Sequence, residues 1–445
     1  MGTAPHNLEV TPQRRRRIAA AAAAAGVVEW YDFLIFSTAS ALVFGRQFFP
    51  AASPVTGVLA SFATFFVGFV ARPLGGLAAG HWGDRIGRKP VLVLALSVMG
   101  VATALVGVLP TFAVAGVLAP IALVVLRVVQ GLAVGAMWGG ATLLATEYAP
   151  PEKRGLYGAL VTMSLPLAVV LSNGVFLIVT AVAPGAAFLE WGWRAPFLLG
   201  GLVLLLARYM HRAIPETPEF SRAARTARTQ RFPLGRVVRH YPGRVALAAA
   251  SYLLGTAFAS IQLTGLLDYA TRVLHVPRQT VLTIVLIASV VFVPLIPLFA
   301  SLSDRFGRLR VYFAGAVAIA VWAIPYFLLI DTANVVLITV AVVIGMVVTA
   351  PLAGPQATLF AELFPPEVRY TGASLAYQIS GLAGGLAPLV MVLLLAATNT
   401  SLSVSALLIV LALITVGAVI LLRRGTHAES PVPEETTQEI QAETK

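Results

Sequence analysis

Four charged side chains lie inside stretches that are otherwise apolar: Glu29, Asp32, Arg72 and Arg127. A charge held in hydrocarbon is costly, and such groups mark solute pathways or proton relays more often than not. Glu29 and Asp32 stand three residues apart, which places them on neighbouring positions of one helical face. Two carboxylates that close in a low-dielectric setting cannot both ionise cheaply, so one tends to hold a proton, the property a proton carrier needs. Permanent pairing of one or both acids with Arg127 or Arg72 is the structural alternative. Arg127 keeps its charge and presents a planar fork that suits a carboxylate, either that of Asp32 or that of an anionic ligand. Gln130 shares its face and adds hydrogen-bonding capacity. Arg72, beside Pro73 near one end of its apolar stretch, suits a structural or gating role.

Neutral polar groups complete a candidate binding set. Ser172 and Asn173 belong to the first half of the chain, and Gln262, Gln356, Tyr377 and Gln378 to the second. Each could reach a central cavity or simply bond a neighbouring helix. Tyr31, Trp138 and Tyr269 could wall such a cavity, pack in a core or face lipid.

A second class of charge sits at the ends of apolar runs. Gly80-His-Trp-Gly-Asp84-Arg85-Ile-Gly-Arg88-Lys89 is answered by Ala300-Ser-Leu-Ser-Asp304-Arg305-Phe-Gly-Arg308-Leu-Arg310, the two aspartates lying 220 residues apart. Glu147 and Glu362, Glu152 and Glu367, and Arg154 and Arg369 repeat at a spacing of 215. Two repeats at nearly one offset indicate a duplicated architecture. The glycines allow tight turns, and Asp84 can accept from N–H groups at a neighbouring helix N-terminus. Arg85, Arg88 and Lys89 can pair with Glu147 or Glu152. The expected gating set is therefore Asp84, Arg85, Arg88, Lys89, Glu147 and Arg154, with Asp304, Arg305, Arg308, Glu362 and Arg369 in the second copy.

The elements that must position these groups are membrane helices. Of 445 residues, 58% are hydrophobic and 11% charged, against about 25% charged in a soluble domain. The apolar runs are long enough to cross about 30 Å of hydrocarbon as helices, and the alternating ten-residue pattern of a barrel is absent. Twelve spans are expected, at 18–45, 54–80, 90–109, 114–148, 155–183, 193–212, 244–271, 279–302, 310–330, 334–361, 368–397 and 400–422. The fold class is thus an all-α membrane protein of two six-helix bundles, 18–212 and 244–424. A tail, 1–17, precedes them, a basic, proline-containing linker, 213–243, joins them, and an acidic, disordered tail, 425–445, follows. The linker reads as a solvated basic loop or as a short helix on anionic headgroups.

The net charge of +12 could suggest nucleic acid, but its placement does not. With both termini on one side, 25 of the 31 Lys and Arg residues fall on that side, four on the other and two within spans. This asymmetry puts both termini in the cytoplasm. The chain has no cysteine, which excludes disulfides and thiolate metal sites. No metal-ligand cluster, nucleophile–base pair or phosphate-binding Gly-x-x-x-x-Gly-Lys-Ser/Thr loop is present. No cofactor and no enzymatic activity are expected, and the chain is expected to act as a monomer in the cell membrane.

The Gly-x-x-x-Asp-Arg-x-Gly-Arg-Lys segment resembles the signature of the major facilitator superfamily. Glu29-Trp-Tyr-Asp-Phe33, Ala71-Arg-Pro-Leu-Gly-Gly76, Leu126-Arg-Val-Val-Gln-Gly131 and Trp191-Gly-Trp-Arg-Ala-Pro-Phe197 resemble its metabolite:proton symporters, the first half being nearest to shikimate transporters. The resemblance implies alternating access and a substrate held between the halves. The expected function is proton-coupled symport of a small organic acid, with export of a secondary metabolite or drug as the alternative. Asp32 and Glu29 would couple protons. Arg127, Gln130, Tyr31, Trp138, Asn173, Gln262, Gln356, Tyr377 and Gln378 would meet the substrate. One departure stands out: the family's Gly-Gly-Glu-Trp-Gly-Gly is here Gly135-Ala-Met137-Trp-Gly-Gly140, so an intramembrane acid is replaced by Met137.

Overall fold

A computed structural model describes residues 12–50, 54–214, 233–366 and 368–428, and these are helical throughout apart from short turns. The longer helices of the first half are α1 (Pro12–Ala39), α2 (Pro54–Ile86), α3 (Arg88–Val108), α4 (Leu118–Glu147), α5 (Arg154–Thr162), α6 (Ser164–Val182) and α7 (Val203–Ala213). A short helix, α8 (Pro233–His240), leads into the second half, which holds α9 (Pro242–Ser260), α10 (Arg278–Phe306), α11 (Arg308–Ile330), α12 (Val335–Glu362), α13 (Arg369–Thr398) and α14 (Leu402–Ala428). Among the described residues, eleven helical runs are long and apolar enough to cross a membrane.

The duplication is visible in the packing. α2 lies along α4 and α4 along α3, while in the second half α10 and α11 both lie along α12. Close approach of α2 to α4 depends on glycine: a Cβ on Gly135 would come 2.0 Å from the carbonyl oxygen of Arg72. Small residues at such crossings let backbones touch where no hydrophobic driving force separates helix from lipid. An aromatic core of Phe36, Phe44, Phe48, Trp193 and Phe197 fills one end of the first half, joined by edge-to-face contacts such as Phe44–Trp193 at 5.8 Å. Large apolar side chains, among them Leu94, Leu205, Val321 and Leu413, are exposed on the outside, as a protein solvated by lipid requires.

The charged segments are less loop-like than their composition suggests. α2 continues through Asp84 and Arg85 and stops only at Gly87, with φ +115°; α10 continues through Asp304 and Arg305 and stops at Gly307, with φ +91°. Hydropathy reports where a helix leaves the apolar layer, whereas its end is set by the residue that can reverse the chain. Glycine alone adopts these positive-φ conformations at low cost, and it occupies the same place in both copies. The expected linker also differs. Its last part is α8, whose Val237 is fully buried and which packs against both α2 and α13. Most of the expected linker and the acidic tail lie outside the described residues.

The halves meet along α2 and α13, and along α5 with α10 and α12. On α2, a stripe of Gly76, Gly80 and Gly83 lies against Gln378, Thr371 and Tyr370 of α13.

Candidate functional site

The four intramembrane charges are brought together where α1, α2 and α4 meet, and they form two ion pairs. Asp32 accepts from Arg127 Nη1 at 3.1 Å, from Gln130 Nε2 at 2.7 Å and from the Thr103 hydroxyl at 2.6 Å. Gln130 Nε2 also donates to Thr103 at 3.1 Å. The Arg127 guanidinium rests over the Phe36 ring at 4.3 Å. Among the described residues Glu29 accepts a single bond, from Arg72 Nη2 at 2.8 Å. Arg72 Nε donates to Gln378 Oε1 of α13 at 3.3 Å, and Gln378 Nε2 donates onward to the Gly135 carbonyl at 3.3 Å. Trp30 and Phe69 flank the same guanidinium at 5.9 and 5.6 Å. All four charged residues are buried. Desolvating such pairs costs free energy that only good geometry and further hydrogen bonds recover; Asp32 has three such donors and Glu29 one.

Asp32, Arg72 and Arg127 line one small cavity, closed by Phe33, Phe69, Gly68, Gly131 and Val134. Gly68 leaves the space that Arg127 occupies, for a Cβ there would lie 2.6 Å from Arg127 Nε. Of the two readings of Arg127, the structure realises the pairing with Asp32.

The remaining candidates divide. Trp138 of α4 stacks face to face on Tyr377 of α13, with centroids 3.9 Å apart and planes 9° from parallel. Tyr252 and Phe360 join this cluster at 6.4 and 6.1 Å from one ring or the other. Gln356 is fully buried, with neither amide atom bonded among the described residues. Gln262 is fully buried, its Nε2 reaching Thr349 at 3.5 Å and its Oε1 without a bond among the described residues. Asn173 is half-buried, and Ser172 donates to the carbonyl of Val169 in its own helix. Two expected wall residues sit elsewhere. Tyr31 donates to the Pro196 carbonyl at 2.9 Å inside the aromatic core, and Tyr269 donates to Asp331 at 2.8 Å. A phenol with an apolar body and one polar tip packs well in a core once its hydroxyl finds a carbonyl. Met137 is fully buried in the core of the first half. Thr103 and Tyr252 were not expected. A threonine in an apolar helix normally bonds its own backbone, and nothing near Thr103 in sequence sets it apart.

The gating candidates lie at the other end of the interface. Asp304 accepts from the backbone N–H groups of Gly155 at 3.0 Å and Leu156 at 3.4 Å, at the first turn of α5 in the opposite half. Arg308 Nη1 reaches Asp304 at 2.9 Å, and its Nη2 reaches Glu362 at 2.8 Å. Glu147 sits between Arg88 of its own half, at 3.4 Å, and Arg369 of the other, at 3.6 Å. Arg88 Nη2 also donates to the Pro366 carbonyl at 3.0 Å. The Arg154 carbonyl accepts from Thr358 at 2.9 Å, and the Tyr370 hydroxyl donates to the Ala136 carbonyl at 2.6 Å. Arg85 and Arg305 are exposed, Arg85 lying 3.4 Å from His81. Lys89 is half-buried, and the side chain of Asp84 and the whole of Glu367 lie outside the described residues. This end is therefore shut by contacts between the halves.

The Major Facilitator Superfamily description matches residues 24–388 and 260–444. A shikimate transporter of Escherichia coli (strain K12) is 39% identical over 369 residues, covering 81% of this chain and 83% of that one. The inner membrane metabolite transport protein YhjE of the same strain is 35% identical over 388 residues, covering 86% and 88%. Among solved structures, the proton:xylose symporter XylE bound to 6-bromo-6-deoxy-D-glucose superposes with a TM-score of 0.72 at 16% identity, covering 93% of this chain and 96% of that one. The described helices, their duplicated packing and these relatives agree: the chain is a multi-pass membrane protein that belongs to the major facilitator superfamily and, within it, to the metabolite transporters.

Proposed function

We propose that the protein is a proton-coupled symporter that imports a small organic acid by alternating access. The observation that carries this reading is Asp32: a buried carboxylate held by Arg127, Gln130 and Thr103 at the wall of a cavity. Such a group can take up and release a proton as the cavity opens to either side, and its charge is matched by one cation that must be satisfied in both states. The relative named for shikimate supports an organic acid, and the fold shared with a proton:xylose symporter supports the coupling. On this reading α2, 33 residues long, completes twelve spans, the bundles are 18–212 and 244–424, and the charged end faces the cytoplasm. On the same reading Asp304, Glu147 and their partners close the cytoplasmic gate.

The test is uptake into proteoliposomes. An imposed inward proton gradient is expected to drive accumulation of radiolabelled shikimate or another small acid from a panel. Asp32→Asn is expected to abolish accumulation while leaving exchange less affected. Accumulation indifferent to the gradient overturns the coupling, and resistance or efflux without uptake overturns the direction.

A further inference from the structure

We infer that Arg72, not Arg127, receives the carboxylate of the transported acid, in the place that Glu29 holds here, and that Gln378 passes that exchange to the second half. This rests on the organic-acid reading above.

Both arginines line the same cavity, so a ligand carboxylate entering it meets two cations, each already neutralised. They differ in what an exchange would break. Taking Arg127 means competing with Asp32, whose carboxylate is fixed by three donors from two helices at 2.6 to 3.1 Å. Taking Arg72 means displacing Glu29 from one bond at 2.8 Å. Access points the same way: the Arg72 side chain is 11% exposed and that of Arg127 5%. The aromatic faces of Trp30 and Phe69 beside Arg72 would hold the apolar body of an acid while the guanidinium fork takes its two oxygens.

Displaced Glu29 cannot stay charged and unpaired in this setting. Arg72 from α2 pairs with it and Tyr377 of α13 stands near it, while Arg127 is already matched by Asp32. None of these is a free cation once Arg72 holds the ligand, so Glu29 leaves as the neutral acid. One proton then accompanies one carboxylate through a direct swap. Arg72 is also hydrogen-bonded to the second half, through Gln378, which at the same time holds the Gly135 carbonyl. Reorienting Arg72 toward a ligand therefore loosens a contact that ties α13 to α2 and α4.

The test uses the full chain in proteoliposomes with shikimate, benzoate and cyclohexanecarboxylate, each compared with its neutral carboxamide. The wild type is expected to favour an acid over its amide by roughly 10- to 100-fold, the value of one charge-assisted hydrogen-bonded contact. Arg72→Gln is expected to erase that preference and Arg72→Lys to keep part of it, whereas Arg127→Gln is expected to keep the ratio even as the rate falls. Glu29→Gln, a mimic of the protonated acid, is expected to bind the acid more tightly and with less dependence on external pH than the wild type, a gain that misfolding cannot imitate. A preference that survives Arg72→Gln, or tighter binding absent from Glu29→Gln, overturns the assignment alone. If no acid enters the wild type under any gradient, the organic-acid reading falls and the assignment with it.

Discussion

Asp304→Asn is a sharp perturbation of the gate because it preserves shape and removes charge. Asp304 caps α5 across the interface, accepting two backbone N–H groups at 3.0 and 3.4 Å, and this contact exists only while the halves are closed at that end. Arg308, its other partner, is in the same half and keeps Glu362, so that pair contributes alike to both states. The difference between an ionised and a neutral acceptor at a helix N-terminus is about 1–2 kcal/mol. Since the contact belongs to one state, the whole amount falls on the closed-to-open equilibrium, a shift of about 5- to 30-fold toward opening. The chain has no cysteine, so Glu152→Cys and Arg310→Cys, two exposed positions in opposite halves, can take spin labels without background. Pulsed dipolar spectroscopy of the doubly labelled protein is expected to show the short distance predominating in the parent and the long one gaining in Asp304→Asn. Populations unchanged within about twofold would refute the idea that this cap holds the gate.

Three further outcomes are expected. Gly87→Ala and Gly307→Ala place a side chain at φ +115° and +91°, and each should cost about 1–3 kcal/mol, seen as a similar fall in Tm for both because both terminate the same turn. Gly135→Ala puts a Cβ 2.0 Å from the Arg72 carbonyl oxygen; forcing α2 from α4 should lower Tm and abolish uptake, since the same shift displaces both ion pairs. Tyr377→Ala removes the ring stacked on Trp138 at 3.9 Å. It should shift the emission of Trp138, identified by difference from Trp138→Phe, and weaken closure by about 0.5–1.5 kcal/mol.

Spans, duplication and the intramembrane charges are legible in the sequence because each rests on strong physics. Twenty apolar residues have few other uses, and a charge among them demands a partner. Asp32 and Arg127 could be singled out on that ground, and their pairing could be named as one of two options. Which option holds depends on Thr103 and Gln130, and Thr103 leaves no mark in a sequence where threonines also bond their own helix. Tyr31 was expected to wall a cavity, yet its hydroxyl bonds the Pro196 carbonyl in the core; Gln262 looked like a cavity residue because polar groups are scarce in spans, and its Nε2 reaches Thr349 while its Oε1 is buried without a bond among the described residues. The helix-terminus contact expected of Asp84 is made here by its repeat, Asp304, and that the terminus is α5 of the other half follows from how the halves dock. The helical extension of α2 and α10 past the apolar layer escapes hydropathy for a simpler reason. Hydropathy measures solvent preference, and helix ends are decided by Gly87 and Gly307.

The glycine stripe on α2 has a consequence for how the two states can be told apart energetically. A Cβ at Gly80 would come 2.6 Å from the Thr371 backbone, and one at Gly83 2.6 Å from the Tyr370 ring. These collisions occur only when α13 lies against α2. Bulk introduced there works as a wedge whose thickness is chosen residue by residue, from alanine through valine to tryptophan. Each step penalises one member of the transport cycle and leaves the interior of either bundle alone. The stripe is thus a calibrated ruler for the free energy of opening, and its thickest wedges would hold the protein still in the state not seen here.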